Sequence, residues 1–175
     1  FQGPIVHPQD WPATLDHAGK RVVVVGSGAT AVTLVPELAR TASHVTMIQR
    51  SPTYIFARGA RDPLADHLRR WLPPRIAHRL LRWKNLLPGL YFYQLSRRRP
   101  ERARRLLLDH ARKMLGPKVD FDRHFVPTYN PWDQRICLAP DGDFFMAVRG
   151  GRADVVTGRI DTFTRTGVRM ISGEE

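Results

Sequence analysis

The feature that most constrains this chain is a glycine-rich turn between two short apolar runs. Residues 22–25 are four consecutive valines, and residues 45–48 form the second run. A short β-branched run is typical of a strand buried on both faces of a parallel sheet, which is what we expect for residues 22–25. Between the runs lies a G-x-G-x-x-A motif, formed by Gly26, Ser27, Gly28, Ala29, Thr30 and Ala31, and a helical apolar pattern follows it. This order predicts a Rossmann-like βαβ unit that binds a dinucleotide.

The small residues of the motif each suit this role. Gly26 permits a tight turn out of the strand, and Gly28 lets the backbone approach a pyrophosphate. Ala31 allows the helix to pack close to the strand. The free N–H groups at the start of the helix favour a bound anion. The six motif residues are therefore candidate cofactor-binding residues, the alternative being an ordinary glycine-rich strand-to-helix turn.

The residues after the second apolar run indicate which dinucleotide is bound. NAD-binding proteins carry Asp or Glu at this position, where it contacts the ribose 2′-hydroxyl. Here the sequence has Gln49, Arg50 and Ser51, with no carboxylate. A guanidinium can pair with a 2′-phosphate through two hydrogen bonds, and a serine hydroxyl can add a third. We therefore predict NADPH, held by Arg50 and Ser51; a solvated arginine at a strand end is the alternative.

Composition sets further bounds. The 175 residues, 42% hydrophobic and 25% charged, suffice for one domain with a core. The single cysteine excludes an internal disulfide and fits a reducing compartment, so we expect a cytoplasmic protein. No cluster of Cys and His has metal-ligand spacing, and we predict no metal site. The chain has no initiating methionine, and we expect it to be an internal segment of a longer protein.

The positive charge of the chain is concentrated in one segment. Residues 57–113 contain sixteen Lys and Arg but four Asp and Glu, which accounts for the whole formal charge of +12. Three helices are predicted in this segment. The first has Asp62 as its N-cap and Pro63 at its first helical position, and Pro73-Pro74 ends it. Pro88-Gly89 ends the second, and the third follows Pro100 and ends at Gly116-Pro117. Three interpretations are open: a solvated insertion packed on its own domain, a surface for anionic lipid, or non-specific nucleic-acid binding.

The first twelve residues resemble a known family. They read F-x-G-x-x-x-H-x-x-x-W-P, with Phe1, Gly3, His7, Trp11 and Pro12 at the fixed positions, and the prolines predict an irregular connector. This is similar to the fingerprint of Baeyer–Villiger monooxygenases, which lies on the linker before the NADPH-binding domain. The resemblance implies a fingerprint linker at 1–12, a Rossmann βαβ at 13–56, a helical insertion at 57–120 and the remainder of the domain at 121–175.

The resemblance also implies a catalytic residue. The family's essential arginine follows the helical insertion in a Lys/Gln-Arg pair, which Gln134 and Arg135 match. Arg135 would stabilise the flavin peroxide and its adduct with a carbonyl; a structural arginine is the alternative. A short helix at 143–148 and strands at 153–157, 159–164 and 168–171 are predicted to follow. The loop sequence YNPWDQR most resembles the ethionamide-activating branch of the family.

The function implied is an FAD- and NADPH-dependent monooxygenase. Through a C4a-peroxyflavin, such an enzyme inserts one oxygen of O₂ beside a ketone or oxidises sulfur in a thio-compound. The expected fold class is α/β: a Rossmann-like NADPH-binding domain with a basic helical insertion and a short trailing β-meander. The FAD domain is expected to be absent, since the chain has one dinucleotide motif, and the fragment alone to be inactive. The alternatives are an N- or S-oxygenating flavin monooxygenase, or a non-catalytic NADP-binding or membrane-contacting fragment. No specific binding of nucleic acid is expected.

Overall fold

The computed structural model describes residues 1–174 as a mixed α/β fold. The strands are β1 (Arg21–Val25), β2 (His44–Gln49), β3 (Tyr54–Arg58), β4 (Ile136–Pro140), β5 (Ala153–Thr157), β6 (Ile160–Phe163) and β7 (Val168–Met170). The α-helices are α1 (Ala29–Leu38), α2 (Pro63–Trp71), α3 (Pro74–Arg98), α4 (Pro100–Leu115), α5 (Phe121–His124) and α6 (Asp143–Arg149). In the predicted irregular connector, one 3₁₀ turn forms at Pro8–Asp10, because proline is tolerated in a first helical turn.

The glycine-rich motif connects two strands of a parallel sheet, as predicted. The sheet has the order β1-β2-β5, with Val22 opposite Val45 and Val45 opposite Ala153. Helix α1 makes the crossover from β1 to β2 and packs against both strands. The carboxyl ends of all three strands therefore lie at the edge of the sheet where α1 begins, which is where α/β proteins bind nucleotides.

The expectation that the four valines are buried on both faces is wrong. Val23 and Val25 are 42% and 58% exposed, whereas Val22 and Val24, which point to the other face, are half-buried. β1 lies at the edge of its sheet. The β6–β7 hairpin covers the neighbouring Ile48 but does not extend over the two exposed valines.

The main core lies on the opposite face of this sheet. It is formed between the strands and helices α1, α4 and α6 by buried side chains that include Val32, Val35, Leu115, Phe144 and Phe145. The predicted short helix is confirmed as α6, and it supplies both phenylalanines. The predicted last strands are present as β5, β6 and β7; β5 joins the parallel sheet, and β6 pairs antiparallel with β7.

The predicted end of a helix at Pro88-Gly89 is also wrong. Helix α3 continues through Pro88 for 25 residues to Arg98. An internal proline removes one backbone hydrogen bond and bends a helix, so it marks a probable boundary and not a certain one. The helix has buried contacts on both sides of the proline, at Leu81 and at Ser96, which offset that cost.

Two strands outside the predicted set form a second parallel sheet. β3 follows β2 after a short turn and pairs with β4, so that Tyr54 lies opposite Ile136. β3 crosses the predicted boundary between residues 56 and 57. Because β4 follows directly after Arg135, this pairing brings the arginine loop to the part of the chain that follows the Rossmann βαβ.

Candidate functional site

The glycine-rich turn has the geometry that a bound phosphate requires. Gly26 has φ = 123°, a conformation that L side chains rarely adopt, and its N–H donates to the Ile48 carbonyl oxygen at 2.8 Å. Gly28 precedes the first helical residue, and a Cβ at this position would meet no atom within 4 Å. Ala29 and Thr30 are exposed while Ala31 is buried against the core. The start of α1 is therefore open and can present N–H groups to an anion.

Two neighbouring polar residues at the end of β2 differ in their exposure. Gln49 is 2% exposed, and its Nε2 donates to the His124 carbonyl oxygen at 2.7 Å and to Thr157 Oγ1 at 2.9 Å. Arg50, the first residue after β2, is exposed. Gln49 therefore ties the sheet to the segment before β4, and Arg50 is left free to contact a ligand.

A cleft of about 390 Å³ joins three distant segments beside this turn. Its lining comprises Ser27, Gly28, Ser51, Pro52, Thr53, Tyr129, Gln134, Arg135 and Cys137. The fold thus brings Arg135 to the same cleft as motif residues more than a hundred positions earlier. Arg50, Ala29 and Thr30 are exposed nearby in sequence but do not line the cleft, and Ala31 packs in the core.

A larger surface depression, of about 770 Å³, lies between α2 and α3. It is lined by residues that include Arg69, Ala77, Leu81 and Arg82, and it contains no residue of the glycine-rich motif. The smaller cleft is the better candidate site, because it combines the anion-binding turn with a permanently charged side chain.

Helix α3 holds the loop that carries Arg135. Arg97 Nη1 donates to Asp133 Oδ1 at 2.9 Å, and the Tyr93 ring meets the Trp132 ring edge-on at 5.9 Å between centroids. Trp132 has φ = 69°, which is uncommon for a residue other than glycine. These contacts hold the two residues that directly precede the Gln134-Arg135 pair.

A hydrogen-bonded group that the sequence did not indicate includes two lining residues of the cleft, Thr53 and Tyr129. The Tyr54 hydroxyl donates to the Tyr129 carbonyl oxygen at 2.7 Å, and the Tyr129 hydroxyl donates to Thr53 Oγ1 at 3.0 Å. Burial raises the pKa of the Tyr54 hydroxyl, despite the nearby Arg104 guanidinium. Burial likewise raises the pKa of the Cys137 thiol, whose Sγ lies 3.7 Å from the Ser27 carbonyl oxygen. Both groups are therefore neutral near neutral pH.

The fingerprint residues lie on the connector outside the cleft lining. A Cβ at Gly3 would lie 2.6 Å from the Phe1 ring, so the two residues are packed directly together. His7 Nδ1 accepts from the Gln9 backbone N–H at 3.3 Å and caps the 3₁₀ turn. Trp11 meets the His17 ring edge-on, and the Pro12 carbonyl oxygen accepts from the Leu15 N–H at 3.0 Å. These contacts order the entry to β1.

The described residues include neither a metal-binding cluster nor a helix that could span a membrane. Within residues 1–174, no group of three or more His, Cys, Asp or Glu side chains is placed to hold a metal ion. In the same part of the chain, every helix is too short or too polar to cross a membrane.

Comparison with known proteins identifies the type of fold and its relatives. Residues 1–68 match the model of the flavin-binding monooxygenase-like family. The whole chain is 52% identical to the FAD-containing monooxygenase EthA of Mycobacterium tuberculosis. This chain is similar to a segment of the flavin-binding monooxygenases. The chain is also 47% identical, over 99% of its length, to the protein named "Probable FAD-binding monooxygenase AlmA" of Acinetobacter baylyi.

The chain spans about a third of the length of these relatives, 36% of EthA and 35% of AlmA. Its fold matches a steroid monooxygenase bound to NADP with a TM-score of 0.74 at 17% identity, over 100% of this chain and 40% of that one. It also matches the cyclohexanone monooxygenase of Rhodococcus sp. Phi1 bound to NADP⁺, with a TM-score of 0.70 at 18% identity, over 99% and 40% of the two chains. The predicted α/β fold is confirmed.

Proposed function

We propose that the cleft beside the glycine-rich turn binds NADPH. The observation that carries this proposal is the single cleft that joins Ser27, Gly28 and Ser51 to Arg135. The open start of α1 would take the pyrophosphate, and Arg50 with Ser51 would take the 2′-phosphate. The residues fit the group: Gly26 makes the turn, and the space beside Gly28 admits a close approach of the ligand.

Arg135 is proposed as the catalytic residue of this cleft. Its guanidinium is cationic and can donate several hydrogen bonds in one plane. A fixed positive charge in the lining of a cleft stabilises negative charge that develops in a reaction. Arg97 and Tyr93 contribute by positioning the loop that carries it.

We further propose that the chain forms the NADPH-binding part of an FAD-dependent monooxygenase. Its curated relatives are named FAD-containing or FAD-binding monooxygenases and are nearly three times as long. When both cofactors are bound, NADPH supplies reducing equivalents and FAD supplies the chemistry of oxygen activation. The substrate is proposed to be a small ketone or thio-compound, in line with the cyclohexanone bound to one structural neighbour.

Calorimetric titration with NADPH and NADH tests the cofactor proposal. We expect NADPH to bind more tightly, and Arg50→Ala to weaken NADPH binding by about 1.5–3 kcal/mol while leaving NADH binding unchanged. Arg21→Ala is the matched control, because Arg21 is an exposed arginine at the opposite end of β1.

Equal binding of the two nucleotides would disprove the assignment of Arg50 to the 2′-phosphate. Binding of neither nucleotide would disprove the proposal that this chain holds the cofactor in the cleft. A preference for NADPH that survives Arg50→Ala would assign the discrimination to other residues of the cleft.

A further inference from the structure

Helix α3 carries a second apolar stripe on the side away from its packed face. The stripe is formed by Ile76, Leu80, Trp83, Leu87 and Leu90, which are each between 47% and 54% exposed. Their spacing of four, three, four and three residues places them on one face of a helix. Ala77 and Leu81, which are buried against the rest of the fold, lie on a different face. An apolar stripe of this length normally has a partner.

The charge around the stripe restricts what that partner can be. Residues 67–100 contain nine Lys and Arg and no Asp or Glu. Arg75, Arg79 and Arg82 are exposed on the same helix as the stripe. A surface that is both apolar and uniformly basic complements a partner that offers hydrocarbon together with negative charge.

We propose that this stripe docks onto an anionic lipid surface, with α3 lying in the plane of the headgroups. The leucines would enter the outer acyl region, and the arginines would contact lipid phosphates. Trp71 and Tyr91, which are 72% and 70% exposed, carry amphipathic rings that prefer this interface. The number of arginines keeps α3 at the surface, because a charged helix does not enter the bilayer core.

Two other partners fit these observations less well. A second copy of the chain would bring one basic surface against another, at a cost in electrostatic repulsion. Nucleic acid would neutralise the arginines but leave the exposed leucines unburied, since basic faces bind it through phosphate contacts. An anionic lipid surface can both bury the leucines and contact the arginines. This surface is separate from the cofactor cleft, so the inference stands independently of the proposed function.

Sedimentation of the full chain with vesicles tests the proposal. Vesicles of phosphatidylcholine alone are compared with vesicles of equal parts phosphatidylcholine and phosphatidylglycerol, at low and high ionic strength. We expect binding to the anionic vesicles and loss of most of it in high salt. Leu80→Gln/Leu87→Gln should lower the partition coefficient about tenfold or more, and Arg79→Gln/Arg82→Gln by a similar factor.

Matched control variants show whether vesicle binding depends on the stripe and its arginines, or on exposed apolar area and positive charge anywhere on the surface. Met146→Gln/Ile171→Gln removes two apolar side chains elsewhere that are at least as exposed as Leu80, and Arg21→Gln/Arg152→Gln removes two exposed arginines elsewhere. Circular dichroism checks that each variant is folded.

Several outcomes would overturn the proposal. They are the absence of sedimentation with anionic vesicles at low salt, equal sedimentation with neutral vesicles, or equal losses in the stripe and control variants. The same assay on a full-length protein that contains this chain gives a fourth: sedimentation of the chain alone but not of the longer protein would assign the stripe to a contact within that protein. Competition by duplex DNA without any contribution from the leucines would identify the surface as a nucleic-acid contact instead.

Discussion

The guanidinium of Arg104 donates to the hydroxyl of Tyr54 at 3.0 Å. The same Nη1 lies 3.2 Å from the Tyr129 carbonyl oxygen, so one side chain of α4 reaches both β3 and the loop that lines the cleft. On the other side of that loop, Arg97 of α3 holds Asp133. The basic helical insertion therefore contacts the candidate site at two points. The net charge of the segment alone did not indicate that Arg104 and Arg97 make these contacts.

Tyr54→Phe tests whether the Arg104 contact stabilises the fold. The variant keeps the buried ring but removes the hydroxyl that donates to Tyr129 and accepts from Arg104. We expect the free energy of unfolding to fall by about 1–2 kcal/mol, measured by urea denaturation. Tyr91→Phe is the control, because Tyr91 is 70% exposed, and it should change stability by less than about 0.5 kcal/mol. Equal effects of the two substitutions would contradict a structural role for the Tyr54 hydroxyl.

Two glycines of the motif should respond differently to alanine. Gly26→Ala places a Cβ on a residue with φ = 123°, and we expect a loss of about 1–3 kcal/mol in stability. Gly28→Ala is sterically free in the unliganded chain and should cost less than about 1 kcal/mol, chiefly because alanine is the poorer N-cap. Its methyl group would instead obstruct a pyrophosphate.

The affinity for NADPH distinguishes these two effects. We expect Gly28→Ala to weaken NADPH binding about tenfold or more, measured by calorimetry on protein shown to be folded. Unchanged affinity in Gly28→Ala would mean that the cofactor backbone does not approach this turn.

The Arg97–Asp133 pair should position the arginine loop without adding much to global stability. The two side chains are 51% and 44% exposed, so water screens the ion pair. A double-mutant cycle with Arg97→Ala and Asp133→Ala should give a coupling of about 0.2–1 kcal/mol in unfolding free energy. Backbone amide exchange at Gln134 and Arg135 should nevertheless accelerate in either single variant. Unchanged exchange would show that the loop is held by other contacts.

His124 should make stability depend on pH just below neutrality. Burial, with the nearby Arg123 charge as a smaller cause, holds the pKa of His124 below its ordinary value of 6.5. The unfolded chain therefore binds a proton more readily than the folded chain as the pH falls through 6.5. The stabilisation is complete above that value and is lost as the pH falls toward the pKa of the folded state.

The contribution of His124 is measured from melting temperatures between pH 5 and 8, a range chosen around the ordinary histidine pKa of about 6.5. Nδ1 of His124 lies 2.8 Å from Thr157 Oγ1, and an asparagine can accept the same hydrogen bond. His124→Asn should therefore flatten the pH dependence below 6.5. Parallel curves for the two proteins would assign the effect to another group.

Local patterns predicted the fold near the nucleotide-binding motif correctly. The valine run, the glycines and the apolar helix lie within thirty residues, and backbone conformational limits at Gly26 leave few alternatives for such a stretch. Asp62 and Pro63 predicted where α2 begins, because proline suits a first helical turn, and Pro73-Pro74 predicted where it ends. Pro88 showed the limit of this rule, since packing on both sides of it carries α3 onward.

The exposure of individual residues depended on neighbours that are distant in sequence. Val23 and Val25 belong to a run that suggested full burial, but their exposure is set by the reach of the β6–β7 hairpin. The pairing of β3 with β4 joins segments about eighty residues apart and was not indicated by any local pattern. Tyr129 lines the cleft, and Tyr54 of β3 donates a hydrogen bond to its carbonyl oxygen.

The sequence by itself determined the type of unit, the position of its turn and the presence of a basic helical segment. Each of these follows from residues close together in the chain, where backbone sterics and side-chain periodicity decide the outcome. The tertiary structure alone decided that Arg135 shares a cleft with Gly28, that Arg104 and Arg97 support that cleft, and that an apolar stripe of α3 faces outward. These relationships depend on long-range packing, which no local pattern specifies.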